Sequence, residues 1–251
     1  VITPADRELD RRVEELKGAD SVGTTLRGIG PSYSSRALRI SPTVEDIIGG
    51  RFSPEIYRSL YSIDFESRGW IESARSALMG FAGDTREALL ERLEKGERIL
   101  FESAQGTLLD HLYGTYPYVT SSHTTSGYAA VSSGIPARMV DRVIGVMKAY
   151  TTRVGKGPMP TELTDNLGEY IRQKGHEYGA TTGRPRRVGW LDLPLLRYSI
   201  EINGIDEIVI TKIDVLSGLK ELKAAVAYKI DGEERERVRP SVETLDRAEP
   251  V

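Results

Sequence analysis

The feature that most restricts the fold of this chain is an alternation. Three short β-like runs, at 98–101, 142–150 and 207–211, are separated by segments patterned for helix, such as 136–140 and 193–202. Parallel strands need long crossover connections, commonly helices, so this order predicts a mostly parallel sheet with helices packed on it. Each run feeds into a polar segment: ESAQGT, TTRVGKGP and TKIDVL. In open α/β sheets ligands bind beyond the carboxyl ends of the strands, so these segments are where chemistry is expected. Connections between helices and strands are commonly polar for no functional reason, which leaves any one of them ambiguous.

Helix signals frame the alternating region. Residues 4–17 carry Thr3 as a cap, Pro4 in the first turn and Gly18 past the end. Residues 21–33 read as a glycine-rich loop, and 43–95 as helical with breaks at 49–50 and 83. The last of these helices has Asp84 to cap it, Glu87 at the capping-box position and Gly96 beyond its end. Near the end of the chain, AAVAYKI and ERERVR flank Asp231–Gly232, a strong hairpin signal. No linker-like stretch divides the chain, so residues 1–251 are expected to form one domain. The expected fold class is α/β, with a mostly parallel central sheet and flanking helices, a helical insertion and a C-terminal hairpin.

A net charge of −3 supplies no global attraction for nucleic acid or membrane, so any anion site must be a local cluster. Without cysteine there are no disulfides, thiolate zinc sites or cysteine nucleophiles. His111, His123 and His176 lack metal-ligand spacing. No apolar run approaches the ~20 residues of a membrane span, and the first residues lack the pattern of a signal peptide. A cytoplasmic protein is the expectation.

Several clusters have chemical character. GTTLRGIGP (23–31) offers glycines for close backbone approach and hydroxyls as donors, which suits an anion, but its spacing is not that of the GxxxxGK[ST] phosphate loop. TTGRPRR (181–187) gathers three arginines, whose forks match carboxylate or phosphate oxygens. A solvated charge run or a nucleic-acid patch is the competing reading, and the acidic chain weakens the second. In TKID an aspartate could accept two hydrogen bonds from guanine while the lysine stem lies along the ring, yet a plain salt bridge explains so short a motif as well. Gln105 in SAQGT could read an amide edge, or be an ordinary loop glutamine. GTYPYVTSSHTT (114–125) is either a phosphate cradle or a turn before a threonine-capped helix. The residues alone point to an α/β protein binding phosphorylated ligands, with a guanine nucleotide as one option.

Taken in order, GTTLRGIGP, ESAQGTLLD, GTYPYVTSS, TRVGKGPMPTE, YGATTGRPRRVGWLD and TKIDVLSGLKE closely resemble the motif series of the adenylosuccinate synthetase family, over roughly 23–228. The resemblance implies a homodimeric, Mg2+-dependent ligase of AMP biosynthesis. GTP would phosphorylate the 6-oxygen of IMP, and the amine of L-aspartate would then displace that phosphate. Such chemistry depends mainly on positioning and positive charge. By the same resemblance, Thr25, Gln105, Thr120, Val154, Gly155 and Arg184 would contact IMP, with Gln105 nearest the reacting 6-position. The loop Ala180, Thr181, Thr182, Gly183, Arg184, Pro185 and Arg186 would close over aspartate. Arg186 would also reach GTP phosphates, and Lys212, Ile213 and Asp214 would hold guanine. Arg39, with Arg36 as a second candidate, would extend into the IMP site of a partner subunit.

Two positions depart from the family pattern: Leu26 stands where glycine is usual, and Pro185 interrupts an arginine run. The family's GDEGKGK loop, with its base and Mg2+ ligand, is not in this sequence, nor is its Gly-His-Thr. The expectation is therefore an interior fragment, inactive and poorly soluble alone, whose Mg2+ ligands lie in the missing N-terminal segment. The alternative is a non-catalytic nucleotide-binding module derived from the synthetase.

Overall fold

The computed structural model describes residues 1–179 and 183–251. The chain forms two compact units, Val1–Arg98 and Ile99–Val251.

The first unit is helical: α1 (Pro4–Lys17), α2 (Ile29–Ala37), α3 (Val44–Ile48), α4 (Glu55–Tyr61), α5 (Arg68–Leu78) and α6 (Thr85–Glu94). The start of α1 is a full capping box. Thr3 Oγ1 accepts from Asp6 N at 3.1 Å, and Asp6 Oδ2 accepts from Thr3 N at 2.7 Å. Pro4 opens the first turn and Gly18, at φ +50°, ends the helix. The sealed face of α1 is partly polar, with Ala5, Asp6 and Asp10 buried. The unit's apolar cluster is Ala5, Tyr57 and Ile63, flanked by Leu9, Phe52, Tyr61 and Phe65. Two expectations are corrected here. The glycine-rich loop stops at residue 28, because α2 already begins at Ile29. The helical stretch has a further break after α4, where Ser62 turns left-handed at φ +52°.

The second unit is α/β. It contains α7 (Tyr128–Ser133), β1 (Ile144–Lys148), β2 (Thr151–Arg153), α8 (Asn166–Lys174), β3 (Arg187–Gly189), β4 (Leu191–Asp192), α9 (Leu193–Asn203), β5 (Glu207–Thr211), β6 (Ala224–Ala225), β7 (Tyr228–Ile230), β8 (Glu233–Arg235), α10 (Val242–Asp246) and β9 (Glu249–Pro250). Strands β1 and β5 pair in parallel, Ile144 against Glu207 through Lys148 against Thr211. A second parallel pair joins β4 to β6. Strand β2 lies antiparallel to β3. The expected hairpin is β7–β8, turning through Asp231 and Gly232 at φ +52° and +86°, and β9 adds a third strand beside β7. Positive φ at both turn residues is the backbone such two-residue hairpins require.

The run at 98–101 is not a strand: it has no ladder partner among the described residues, and Leu100 is 88% exposed. Apolar residues favour a strand only where a neighbour supplies the hydrogen bonds. The expected helix at 136–140 shrinks to one 3-10 turn at Ala137–Met139. Helix α7 opens on Gly127 with no side-chain cap, not on a threonine. Two apolar clusters hold the unit. Tyr150, Ile171, Val188, Val215 and Leu216 form one, under the carboxyl ends of β1 and β5. Leu195, Ala225, Tyr228, Ile230 and Leu245 form the other, beneath the hairpin.

Candidate functional site

At the carboxyl ends of β1 and β5 the chain gathers charge. The central group is Glu177, only 1% exposed, in the turn after α8. Its Oε2 accepts from Lys148 Nζ at 2.6 Å and from Arg186 Nη1 at 2.7 Å, and its Oε1 accepts from Tyr150 OH at 2.6 Å. Burial alone would raise this carboxyl, but the three donors hold it below the usual glutamate range. Burial lowers the Lys148 amine, with Arg186 and Lys212 adding repulsion against the pull of Glu177. The Tyr150 hydroxyl is pushed up by burial, by Glu177 and by the nearby charge of Asp214. Lys212 sits left-handed at φ +62° and donates from Nζ to the carbonyl of Gly175 at 2.9 Å. Asp214 lies exposed in the 3-10 turn Ile213–Leu216, with Ile213 also exposed. The anticipated Arg186, Lys212 and Asp214 therefore fall in one electrostatic neighbourhood.

A second cluster surrounds Arg153, the last residue of β2, which is 8% exposed. Its Nη2 donates to Thr115 Oγ1 and to the Tyr118 carbonyl, both at 2.9 Å, and its Nε donates to the Lys156 carbonyl at 2.9 Å. It has no carboxylate partner among the described residues. Burial, with repulsion from Arg187, lowers its guanidinium to about 10. Arg153 thereby ties the Thr120 segment to the Val154–Gly155 loop. Thr120 is half-buried and its N–H donates to the Leu109 carbonyl at 2.8 Å, while Val154 and Gly155 are exposed. Arg187 extends the same web: it pairs with Glu162 and donates to the Gly157 carbonyl at 2.6 Å.

Gln105 is exposed at φ +65°, on a loop that is anchored at Gly106, whose carbonyl accepts from Thr124 Oγ1 at 2.9 Å. Buried Asp110 fastens the adjoining segment by accepting from the N–H groups of Leu112, Tyr113 and Thr124 at 2.7–3.1 Å. Those bonds outweigh burial and lower its carboxyl. Around the arginine loop, Gly183 N donates to the Gly179 carbonyl, Gly179 N donates to the Arg184 carbonyl, and Arg186 N donates to the Glu177 carbonyl. Gly183, Arg184 and Pro185 are exposed; Ala180, Thr181 and Thr182 lie outside the described residues.

In the first unit, the loop carrying Thr25 is held by two acids of α1. Glu14 accepts from the N–H groups of Val22, Gly23 and Thr24 at 2.7–3.3 Å. Asp10 accepts from Thr24 Oγ1 and Gly28 N, each at 2.9 Å. Gly28 is required here: at φ +79° an added Cβ would stand 2.8 Å from Arg7 N. Thr25 is exposed, and Leu26 is forced left-handed at φ +55°. Arg36 on α2 and Arg39 just after it are exposed; Arg39 is left-handed at φ +65° and makes no side-chain hydrogen bond among the described residues.

Sequence reasoning missed Glu177, Lys148, Tyr150 and Arg153. A weak signal existed for two of them, since Lys148 and Tyr150 are two apart at a strand end and so share a face. No group of three or more His, Asp or Glu side chains able to hold a metal occurs among the described residues. A cavity of about 430 Å³ in the second unit is bordered by Tyr113, Tyr116, Tyr198 and Arg239; it touches the start of the 114–125 segment at Gly114 and Tyr116 but not Gln105, Thr120, Arg186, Lys212 or Asp214.

A family model described as adenylosuccinate synthetase matches residues 1–251. The adenylosuccinate synthetase of Caldanaerobacter subterraneus subsp. tengcongensis is 43% identical over 266 residues, covering 100% of this chain and 62% of the relative. That of Streptococcus gordonii is 42% identical over 267 residues, again covering 100% and 62%. The fully ligated adenylosuccinate synthetase of Plasmodium falciparum superposes with a TM-score of 0.91 at 38% identity, covering 100% of this chain and 63% of that one. A cyanophage S-2L succinoaminodeoxyadenylate synthetase, bound to dGMP and dATP, shares the fold with a TM-score of 0.55 at 21% identity, over 98% of this chain and 68% of that one. The chain thus spans about 62% of the length of the curated relatives it matches. On the full-length match of its sequence and the likeness of its fold, the chain belongs to the adenylosuccinate synthetase family.

Proposed function

We propose that this chain forms part of a GTP-dependent ligase that joins IMP and L-aspartate into adenylosuccinate through 6-phosphoryl-IMP. The observation that carries the reading is the convergence of Arg186, Lys212 and Asp214 at the carboxyl ends of a parallel strand pair, in a member of this family. In this reading the exposed Asp214 carboxylate accepts from N1–H and the 2-amino group of guanine, and the stem of Lys212 covers the ring. Arg186 meets GTP phosphates. Gln105 reads the purine of IMP beside its 6-oxygen, Thr25 and Thr120 hold its phosphate, and Val154 and Gly155 border its pocket. Arg184, with the loop of Ala180, Thr181, Thr182, Gly183 and Pro185, takes the aspartate carboxylates. Arg39, or Arg36, serves the partner subunit of a homodimer. The family's Mg2+ finds no three-ligand set among the described residues.

The test is nucleotide selectivity in the full-length protein. Asp214→Asn keeps the shape but turns an amide N–H₂ toward a donor edge. Losing charge-assisted bonds to a buried base should raise the KM for GTP roughly a hundredfold and leave that for IMP unchanged. An unchanged KM for GTP would remove Asp214 from guanine recognition.

A further inference from the structure

Arg186 uses its guanidinium unevenly. It donates to Glu177 through Nη1 alone, and it makes no other side-chain hydrogen bond among the described residues. Among the described residues nothing accepts from Nε or Nη2, the side edge of the fork, and the side chain is 29% exposed. That edge is the one that binds two oxygens of a single anion side by side. Glu177 is in turn immobilised: its second oxygen is taken by Tyr150 OH at 2.6 Å, and Lys148 shares the oxygen that Arg186 uses. The backbone is fixed as well, with Arg186 N donating to the Glu177 carbonyl and Arg172 Nε donating to the Arg186 carbonyl at 2.7 Å. A clamped carboxylate on one edge of a clamped residue leaves the guanidinium little freedom to turn.

We propose that Glu177 is a positioning residue of the synthetase reaction: it grips one edge of Arg186 and aims the open edge at a pair of anionic oxygens of a substrate. Two Glu177-bound cations against one carboxylate leave the cluster net positive, so a second anion is welcome there. The shared chemistry is a bidentate oxyanion, whose source is either a GTP phosphate or an aspartate carboxylate. This inference rests on the reading of Arg186 as a substrate contact.

The experiment is steady-state kinetics of the full-length protein with GTP, aspartate and IMP varied in turn, for Glu177→Gln, Arg186→Lys and the pair combined. Removing the partner that orients a metal-binding side chain typically costs about 10–100-fold in affinity or activity, and the lower end of that range is the expected size for an anion-binding guanidinium. Glu177→Gln should therefore raise the KM of one substrate about tenfold, GTP if the oxyanion is a phosphate and aspartate if it is a carboxylate, with IMP unaffected. Arg186→Lys, which keeps the charge but has no side edge, should raise the same KM, and the double variant should add nothing further. Full additivity would show that Glu177 acts independently of Arg186 and would overturn the inference alone. An Arg186→Lys variant with every KM unchanged would overturn both the contact and its positioning. Should Glu177→Gln fail to fold, Glu177→Asp retains the buried charge but withdraws it by one methylene. It should raise the same KM by a smaller factor; an unchanged KM would count against the inference.

Discussion

At the scale of single residues, the structure shows where this sequence tolerates strain. Leu26 holds a left-handed backbone at φ +55° while its side chain is 47% exposed. An L-residue there loses roughly 1–2 kcal/mol, and glycine returns about 0.5–1 kcal/mol as lost chain entropy. Leu26→Gly should therefore raise stability by up to about 1 kcal/mol, read as a later denaturant midpoint with an unchanged slope. Glu177 gives a pH signature. Its folded carboxyl titrates below the ordinary value of 4.5, so its contribution is complete above that value and is lost as pH falls through the lower folded one. Glu177→Gln should flatten the acid limb of stability against pH in that window. An identical acid limb in both proteins would mean that the three donors do not favour the ionised form.

At the scale of elements, local signals and long-range ones part company. Helix α1 begins and ends where Thr3, Pro4 and Gly18 say it should, because capping is decided within four residues. Removing that cap with Thr3→Ala should cost about 1–2 kcal/mol, since the N–H of Asp6 loses its acceptor and the buried Asp6 carboxylate loses the hydroxyl donor while keeping the backbone one; thermal melting of the variant would show it. Strand β5 and the hairpin at Asp231–Gly232 were equally legible, from a β-branched run and from turn chemistry. The segment at 98–101 was not, because pairing depends on a neighbour far along the chain. The site divides in the same way. Arg186, Lys212 and Asp214 stand out as residue types in short motifs. Glu177 does not, because its meaning arises only when residues 29 positions before it and nine after it meet on one carboxylate. Arg153 is hidden for the same reason, its contacts lying 35 and 38 positions upstream.

At the scale of the whole molecule, the reading makes the active site a property of two subunits. If Arg39 serves its partner, mixing an inactive Arg39→Ala protein with an inactive Gln105→Ala protein should restore activity. Random pairing gives about a quarter of sites with both native residues, and recovery near that fraction after subunit exchange is the expected result. No recovery would place Arg39 outside the partner's site. The chain is net acidic, yet it is proposed to gather several phosphates and two carboxylates. The loop-clamping acids suggest how. Glu14 and Asp10 face inward onto the N–H groups of one loop, Asp110 onto another, and Glu177 onto two cations. Negative charge near the candidate loops is thus muffled by internal partners, while Arg39 is exposed and Arg186 partly so. On the proposed reading, attraction for polyanions comes less from adding cations than from sequestering the acids that would repel them.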